Sequence, residues 1–320
     1  MTVVPAPPAQ VGVCECWSRD GLQSWTGIVP TDRKIAVLDA VIDAGVRELD
    51  VTSLVPPKYA PQFADAEDVL AAVAGRGVYS RVLAPNLRGV QRAVELHEKL
   101  GAISAVGFPI SASEAHNLAN LKRTHAEHLS AIEEMVAAAH AAGLETVSAV
   151  ATAYGCPITG EVPEGTVFAM AARLIDIGVD RIMLSDTTGL ADPARAAAYT
   201  ARAVQSHPET GWIAHFHDTR GAGMANTWAA VLAGATCVDA SLGGIGGEPP
   251  TVEQNHAGET GNVSTEDIAV LMERAGVTTG IDLDRLVAAG RLAEQVQGAP
   301  GRSQVQRTGT GLAGHEGRTT

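Results

Sequence analysis

The sequence predicts an α/β chain closed as a (β/α)8 TIM barrel with extra C-terminal helices. Short apolar runs, eight in number, alternate with helix-length amphipathic segments almost from end to end. The repeat occupies about 240 residues, as a barrel of this kind requires. None of the runs leads into a Gly-x-Gly-x-x-Gly turn, which an open dinucleotide-binding sheet would carry there.

The elements follow in order. A first strand is expected at 11–16, and the helix after it at 31–44, where Ile35, Leu38, Val41 and Ile42 recur at three- and four-residue spacing before the Ala44-Gly45 stop. Further strands are expected at 46–52, 78–84, 103–108, 145–151, 181–185, 212–217 and 236–242. The intervening helices are expected at 62–74, 87–100, 124–142, 165–177, 193–205 and 221–233, and several end in glycine, as at Gly143, Gly178 and Gly234. Two helices beyond the eighth strand, 265–275 and 283–296, form an appendage on the same body. One catalytic domain, 1–298, is therefore expected, with its body from Val11 to Gly298 and a short N-terminal extension. The stretch 299–320, rich in Gly, Arg, Thr and Gln with little periodicity, is expected to be a flexible tail.

Composition narrows the function. Of 320 residues, 46% are hydrophobic and 18% charged, which excludes intrinsic disorder. A net charge of −13 opposes non-specific nucleic-acid binding. No apolar run reaches the ~20 residues of a membrane span, and Met1–Gln10 lacks a signal-peptide layout, so a cytoplasmic protein is expected. Cys14, Cys16, Cys156 and Cys237 are scattered without a Cys-x-x-Cys pair and are read as small core residues of a reduced protein.

In a barrel the chemistry gathers where strands end and loops begin. His215 and His217 alternate at the end of strand seven, so both face one side; they are either two ligands of a metal ion or two hydrogen-bonded histidines at the mouth. Arg19, Asp20 and Gln23 follow strand one, beside strand seven with only strand eight between. A carboxylate joining two imidazoles suits Mg²⁺, Mn²⁺ or Co²⁺, and an arginine beside them holds an oxyanion without ligating; the alternative is a surface ion pair. Asp50 and Thr52 share a face at the end of strand two, where Asp50 either orients the metal site or is satisfied within the barrel. Asp186 and Thr187 close strand six.

At these residues the sequence resembles the 3-hydroxy-3-methylglutaryl-CoA lyases, within the metal-dependent TIM-barrel lyases, aldolases and acyl-transferring synthases. The matching runs are Arg19-Asp20-Gly21-Leu22-Gln23, Asp50-Val51-Thr52-Ser53 followed by Pro57-Lys58-Tyr59-Ala60-Pro61-Gln62, Pro85-Asn86-Leu87, Tyr154-Gly155-Cys156-Pro157, Asp186-Thr187-Thr188-Gly189, His215-Phe216-His217-Asp218-Thr219 and Thr260-Gly261-Asn262-Val263. The resemblance spans roughly Val11 to Gly298. It implies metal ligation by Asp20, His215, His217 and Asn262, with Mg²⁺ or Mn²⁺ foremost and Co²⁺ or Zn²⁺ as alternatives. It also implies that Arg19 neutralises the carbonyl oxygen that becomes an enolate, and that Gln23, Asp50, Thr52, Asp186 and Thr187 support the site or the substrate. Asp50 stands where the family usually has Glu.

The chain departs from the family after Gly243-Gly244-Ile245-Gly246-Gly247, where a cysteine regarded as catalytic is replaced by Glu248. Glu248 and His256 are the candidate replacements, since both exchange protons near neutrality when suitably tuned. The expected reaction is cleavage of a 3-hydroxyacyl-CoA to an acyl-CoA and a keto acid or ketone. Its rivals are a Claisen-type synthase or keto-acid aldolase on the same barrel, and a non-catalytic binding protein. Expected partners are the acyl-CoA and further copies of the chain, as a dimer or tetramer, with neither nucleic acid nor membrane.

Overall fold

Eight parallel strands, each paired with the next and the last with the first, close a barrel: β1 (Gly12–Glu15), β2 (Glu48–Ser53), β3 (Tyr79–Leu83), β4 (Ala105–Ser111), β5 (Glu145–Ala151), β6 (Arg181–Asp186), β7 (Gly211–Phe216) and β8 (Cys237–Ala240). This computed structural model describes residues 6–247 and 261–311. Around the barrel run α1 (Thr31–Asp43), α2 (Ala66–Val73), α3 (Leu87–Leu100), α4 (Glu114–Leu121), α5 (His125–Ala141), α6 (Glu164–Ile177), α7 (Pro193–Ser206) and α8 (Gly223–Leu232). Then come α9 (Thr265–Arg274), α10 (Leu283–Gln297) and a single turn, α11 (Val305–Thr308). The expected (β/α)8 barrel is the observed fold.

The strands are buried on two sides. Their outward residues, such as Leu49, Val51, Val82 and Val106, join one core with the apolar stripes of the helices. Inward residues make a second, smaller cluster of Cys14, Cys16, Ala105, Val147, Met183, Ile213 and Cys237. All four cysteines are buried and free. Near the strand starts, Arg181 donates to both oxygens of Glu48, at 2.8 and 3.2 Å, and Tyr79 Oη donates to Glu145 at 2.6 Å.

One helix departs from expectation, for a physical reason. The hydrophobic pattern misses α4, because the residues this helix buries include the polar His116 and Asn117. Hydrogen bonds seat it instead: Ser113 caps its start, and Asn117 Oδ1 accepts from Ser111 N at 3.1 Å. Residues 299–311, where a flexible tail is expected to begin, make contacts with the body. Ser303 Oγ, Gln304 N and Val305 N all donate to Asp267 at 2.8–2.9 Å, and Gly301 packs against Gly243. The stretch is held by hydrogen bonds and glycine-on-glycine contact, neither of which has a periodic signature. Residues 312–320 lie outside the described residues, as do Glu248 and His256.

Candidate active site

Chain path brings the first charged pair to the mouth. After β1 the backbone makes one π-helical turn, Trp17–Gly21, in which Gly21 N donates to Cys16 O at 3.0 Å. Such turns are rare and set adjacent side chains at unusual angles. Here Arg19 and Asp20 emerge together, with Arg19 Nη1 donating to Asp20 Oδ1 at 2.8 Å. Gly21 lets the turn pack closely: a Cβ there would lie 2.8 Å from Ser241 Oγ and 3.3 Å from Ile245 Cγ1.

Strand seven supplies the histidines. Their rings sit 5.2 Å apart, and ligand atoms of Asp20, His215 and His217 all lie within 4.8 Å of one another. His217 falls just past β7, where it bridges in antiparallel fashion to Asn262, and Asp218 N donates to Gly261 O at 2.7 Å. This bridge draws Asn262 in from the far end of the chain. Asn262 Nδ2 donates to Asp20 Oδ2 at 2.6 Å and to Ile245 O at 3.1 Å.

The donors are set for a cation. His217 Nδ1 donates to Thr187 O at 2.7 Å, which leaves Nε2 as the free lone pair. His215 Nδ1 lies 3.1 Å from Asp239 Oδ2, so its Nε2 is likewise the free nitrogen. His217 Nε2 and Asn262 Oδ1 are both buried without a hydrogen-bond partner among the described residues. Buried acceptors are rarely left so, and a divalent ion satisfies both. Burial, with the neighbouring His215 charge, pushes His217 down to about 4, so it is neutral and able to ligate near pH 7. Burial would raise the Asp20 carboxyl, but Arg19 and the two histidines outweigh it and hold it below the ordinary range. Two imidazoles, a carboxylate and an amide oxygen fit a hard or borderline divalent metal.

A second acidic and thiol cluster, Cys14, Cys16 and Asp239, lies close by. It already has its cation. Arg81 Nη2 is 2.8 Å from Asp239 Oδ2 and 3.7 Å from Cys16 Sγ, and burial pushes the Cys14 thiol up to about 11.

Arg19, Asp20, Gln23, Asp50, Thr187, His215 and His217 line one cavity of about 730 Å³. Asp50 accepts from Arg19 Nε at 2.6 Å and does not join the group formed by Asp20, His215 and His217. Thr52 is buried just beyond a bulge in the pairing of β2 with β3 and is not among the lining residues. Asp186 is not among them either: its oxygens accept from Leu190 N at 2.7 Å and Ala191 N at 3.1 Å, bracing the turn that presents Thr187. Burial, partly offset by those bonds, raises Asp186 to about 6. Sequence reasoning missed Arg81 and Asp239. A signal existed, since each is a charge inside an otherwise buried strand: Tyr79-Ser80-Arg81-Val82-Leu83 and Cys237-Val238-Asp239-Ala240.

The HMGL-like family model matches residues 10–293. The chain belongs to that family. Among its relatives, a hydroxymethylglutaryl-CoA lyase of Bacillus subtilis is 33% identical over 92% of this chain and 95% of its own. The mitochondrial hydroxymethylglutaryl-CoA lyase of Bos taurus is 35% identical over 88% of this chain and 84% of its own. Both are carbon–carbon lyases. An HMG-CoA lyase from Acinetobacter baumannii, solved with coenzyme A and 3-methylmalate, superposes with a TM-score of 0.86 at 33% identity, covering 96% of this chain and 97% of that one. The hydroxymethylglutaryl-CoA lyase of Pseudomonas aeruginosa gives 0.87 at 30%, covering 95% and 98%. The family places this chain among the lyases.

Proposed function

We propose that the chain is a divalent-metal-dependent carbon–carbon lyase that cleaves a 3-hydroxyacyl-CoA, 3-hydroxy-3-methylglutaryl-CoA or a related thioester, to an acyl-CoA and a keto acid or ketone. The observation that carries the reading is the trio Asp20, His215 and His217 with Arg19 against it, at the mouth of a cavity large enough for an acyl chain. Lys122 and Arg123 line the same cavity and suit a ligand bearing phosphates.

A divalent ion, Mg²⁺ or Mn²⁺ before Co²⁺ or Zn²⁺, held by Asp20, His215, His217 and Asn262 would supply Lewis acidity to the reacting oxygens. The protein's own groups supply the rest. Asp20, kept anionic by Arg19, takes the proton of the 3-hydroxyl on a carboxylate oxygen. The C2–C3 bond then breaks, leaving the keto fragment and the enolate of the shorter acyl-CoA. Arg19, itself fixed by Asp50, opposes the charge on the enolate oxygen as it develops. Glu248 or His256, both outside the described residues, protonates the enolate carbon. Run backwards, the same steps make a Claisen-type addition.

We place the protein in the cytoplasm as a homo-dimer or homo-tetramer. The four free buried cysteines support a reducing compartment, and no helix among the described residues is long and apolar enough to cross a membrane.

The test is mass-spectrometric screening of purified, metal-loaded protein against 3-hydroxyacyl-CoA thioesters and the matching free acids. Cleavage of a thioester, lost with bound metal in His215→Ala and His217→Ala, is the expected result. Turnover of free keto acids alone would make the protein an aldolase, and no turnover of either class would leave a binding protein.

A further inference from the structure

The C-terminal segment reaches the metal-binding residues through the turn after β8, Leu242–Gly244. Arg302 N donates to Gly243 O at 2.6 Å, and a Cβ on Gly301 would lie 2.6 Å from Gly243 Cα. The Arg302 guanidinium covers Gly261, where a Cβ would lie 2.8 Å from its Nη1. The segment is itself fixed from behind. Gly301 N donates to Glu294 of α10 at 2.6 Å, and Ser303, Gln304 and Val305 all donate to Asp267 of α9. Gln306 Nε2 donates at 2.5 Å to Glu266, whose two oxygens also accept from Gly243 N at 3.2 and 3.0 Å. Gly243 is thus held on its N–H, its carbonyl and its Cα.

The chain that follows Gly243 packs on two of the residues that suit a divalent ion. Asn262 Nδ2 donates to Ile245 O at 3.1 Å and to Asp20 Oδ2 at 2.6 Å. A Cβ at Gly244 would lie 3.1 Å from Asn262 O. One at Gly246 would run into Asn262 Nδ2 and lie 2.8 Å from Asp20 O. The amide of Asn262 is therefore aimed by the turn on one side, and its neighbour Gly261 is covered by Arg302 on the other. His217 stands just past a barrel strand and His215 within one, but Asn262 has no strand to place it. Backbone packed this closely passes a displacement on rather than absorbing it.

We propose that Gly301 and Arg302 are positioning residues for the metal site, Gly301 through Gly243 and Arg302 through Gly261, and that together they set the affinity for the divalent ion. Neither has to touch substrate. The inference rests on the reading of Asp20, His215, His217 and Asn262 as metal ligands, and makes the C-terminal segment part of what holds them in place.

The probe is Mn²⁺ alone, with the free ion read by electron paramagnetic resonance on the full chain, well below the unfolding transition of each protein. Gly301→Ala puts a methyl against Gly243 Cα; because Glu294 and Asp267 hold the segment, the turn gives way. Its Mn²⁺ affinity is expected to fall about tenfold, the lower end for residues that orient a ligand. Arg302→Ala changes an exposed side chain, so it decides the question alone if Gly301→Ala does not fold; a loss of about threefold or more is expected. Wild-type affinity in either folded variant overturns the proposal for that residue, and a lowered Tm beside unchanged affinity is the mark of packing alone. Absence of Mn²⁺ binding by the wild type overturns the metal reading and this proposal with it. A wild type that binds Mn²⁺ but cleaves no thioester fails only as a lyase, and the affinity comparison still decides the role of the two residues.

Discussion

His215 Nδ1 and Asp239 Oδ2 lie 3.1 Å apart, and the same carboxylate oxygen accepts from Arg81 at 2.8 Å. Asp239 therefore links the His215 imidazole to the Arg81 guanidinium. Burial would raise its carboxyl, but Arg81 first and then His215 hold it far below the ordinary carboxylate range. A fixed anion behind a ligating histidine sets its tautomer and strengthens its free nitrogen.

Asp239→Asn removes that anion while keeping the shape. Metal affinity is expected to fall by about 10–100-fold, read by competition with a chelator. Unchanged affinity would mean that His215 is oriented by something other than Asp239.

Arg19 opposes charge that exists only as the enolate forms. Arg19→Met should lower kcat by about 10²–10³-fold with a much smaller rise in KM, as for loss of one oxyanion donor. A variant with unchanged kcat would remove Arg19 from the reaction step.

Glu248 is preferred over His256 as the carbon acid because it directly follows the Gly-rich turn where the family carries its cysteine. Glu248→Gln is expected to lose turnover, and Glu248→Cys to recover part of it. If Glu248→Gln still turns over and incorporates solvent deuterium into the acyl-CoA product, the role passes to His256 or water.

Glu15 couples folding to pH. It is buried, with Trp17 N and Leu242 N donating to it at 2.8 and 2.9 Å, and burial raises its carboxyl to about 8 despite those bonds and that of Thr265. The folded chain thus keeps a proton that the unfolded chain releases near 4.5, the ordinary value. This group's contribution is full below that value and is lost as pH rises toward 8. Glu15→Gln, which can still accept both backbone bonds, should flatten the fall in Tm across that window; parallel Tm curves for the two proteins would count against the assignment.

The barrel was legible because its elements are periodic. Apolar alternation and glycine stops mark the strands and helices locally, and α3 at Leu87–Leu100 matches the expected 87–100. His215 and His217 were legible for a related reason, since alternation on one strand fixes their common face before any fold is known. Asn262 was different: nothing local marks it, and only the resemblance pointed to it. The structure accounts for it through the bridge to His217, a contact between chain segments far apart in sequence.

What the sequence by itself determined is the closed α/β architecture, the family, and which strand ends carry the polar residues, since each is written in short-range pattern and motif. Tertiary structure alone decided how those residues are wired. Arg81 and Asp239 look like stray charges in apolar strands until closure of the barrel sets them against Asp50 and His215. Ser18 of the π-turn donates to Val51 O at 2.9 Å and Ser303 to Asp267 at 2.8 Å, both partners far away in sequence. The physical reason is common to all of them. A buried polar group is stabilised by the partner it meets, and barrel closure decides which partner that is.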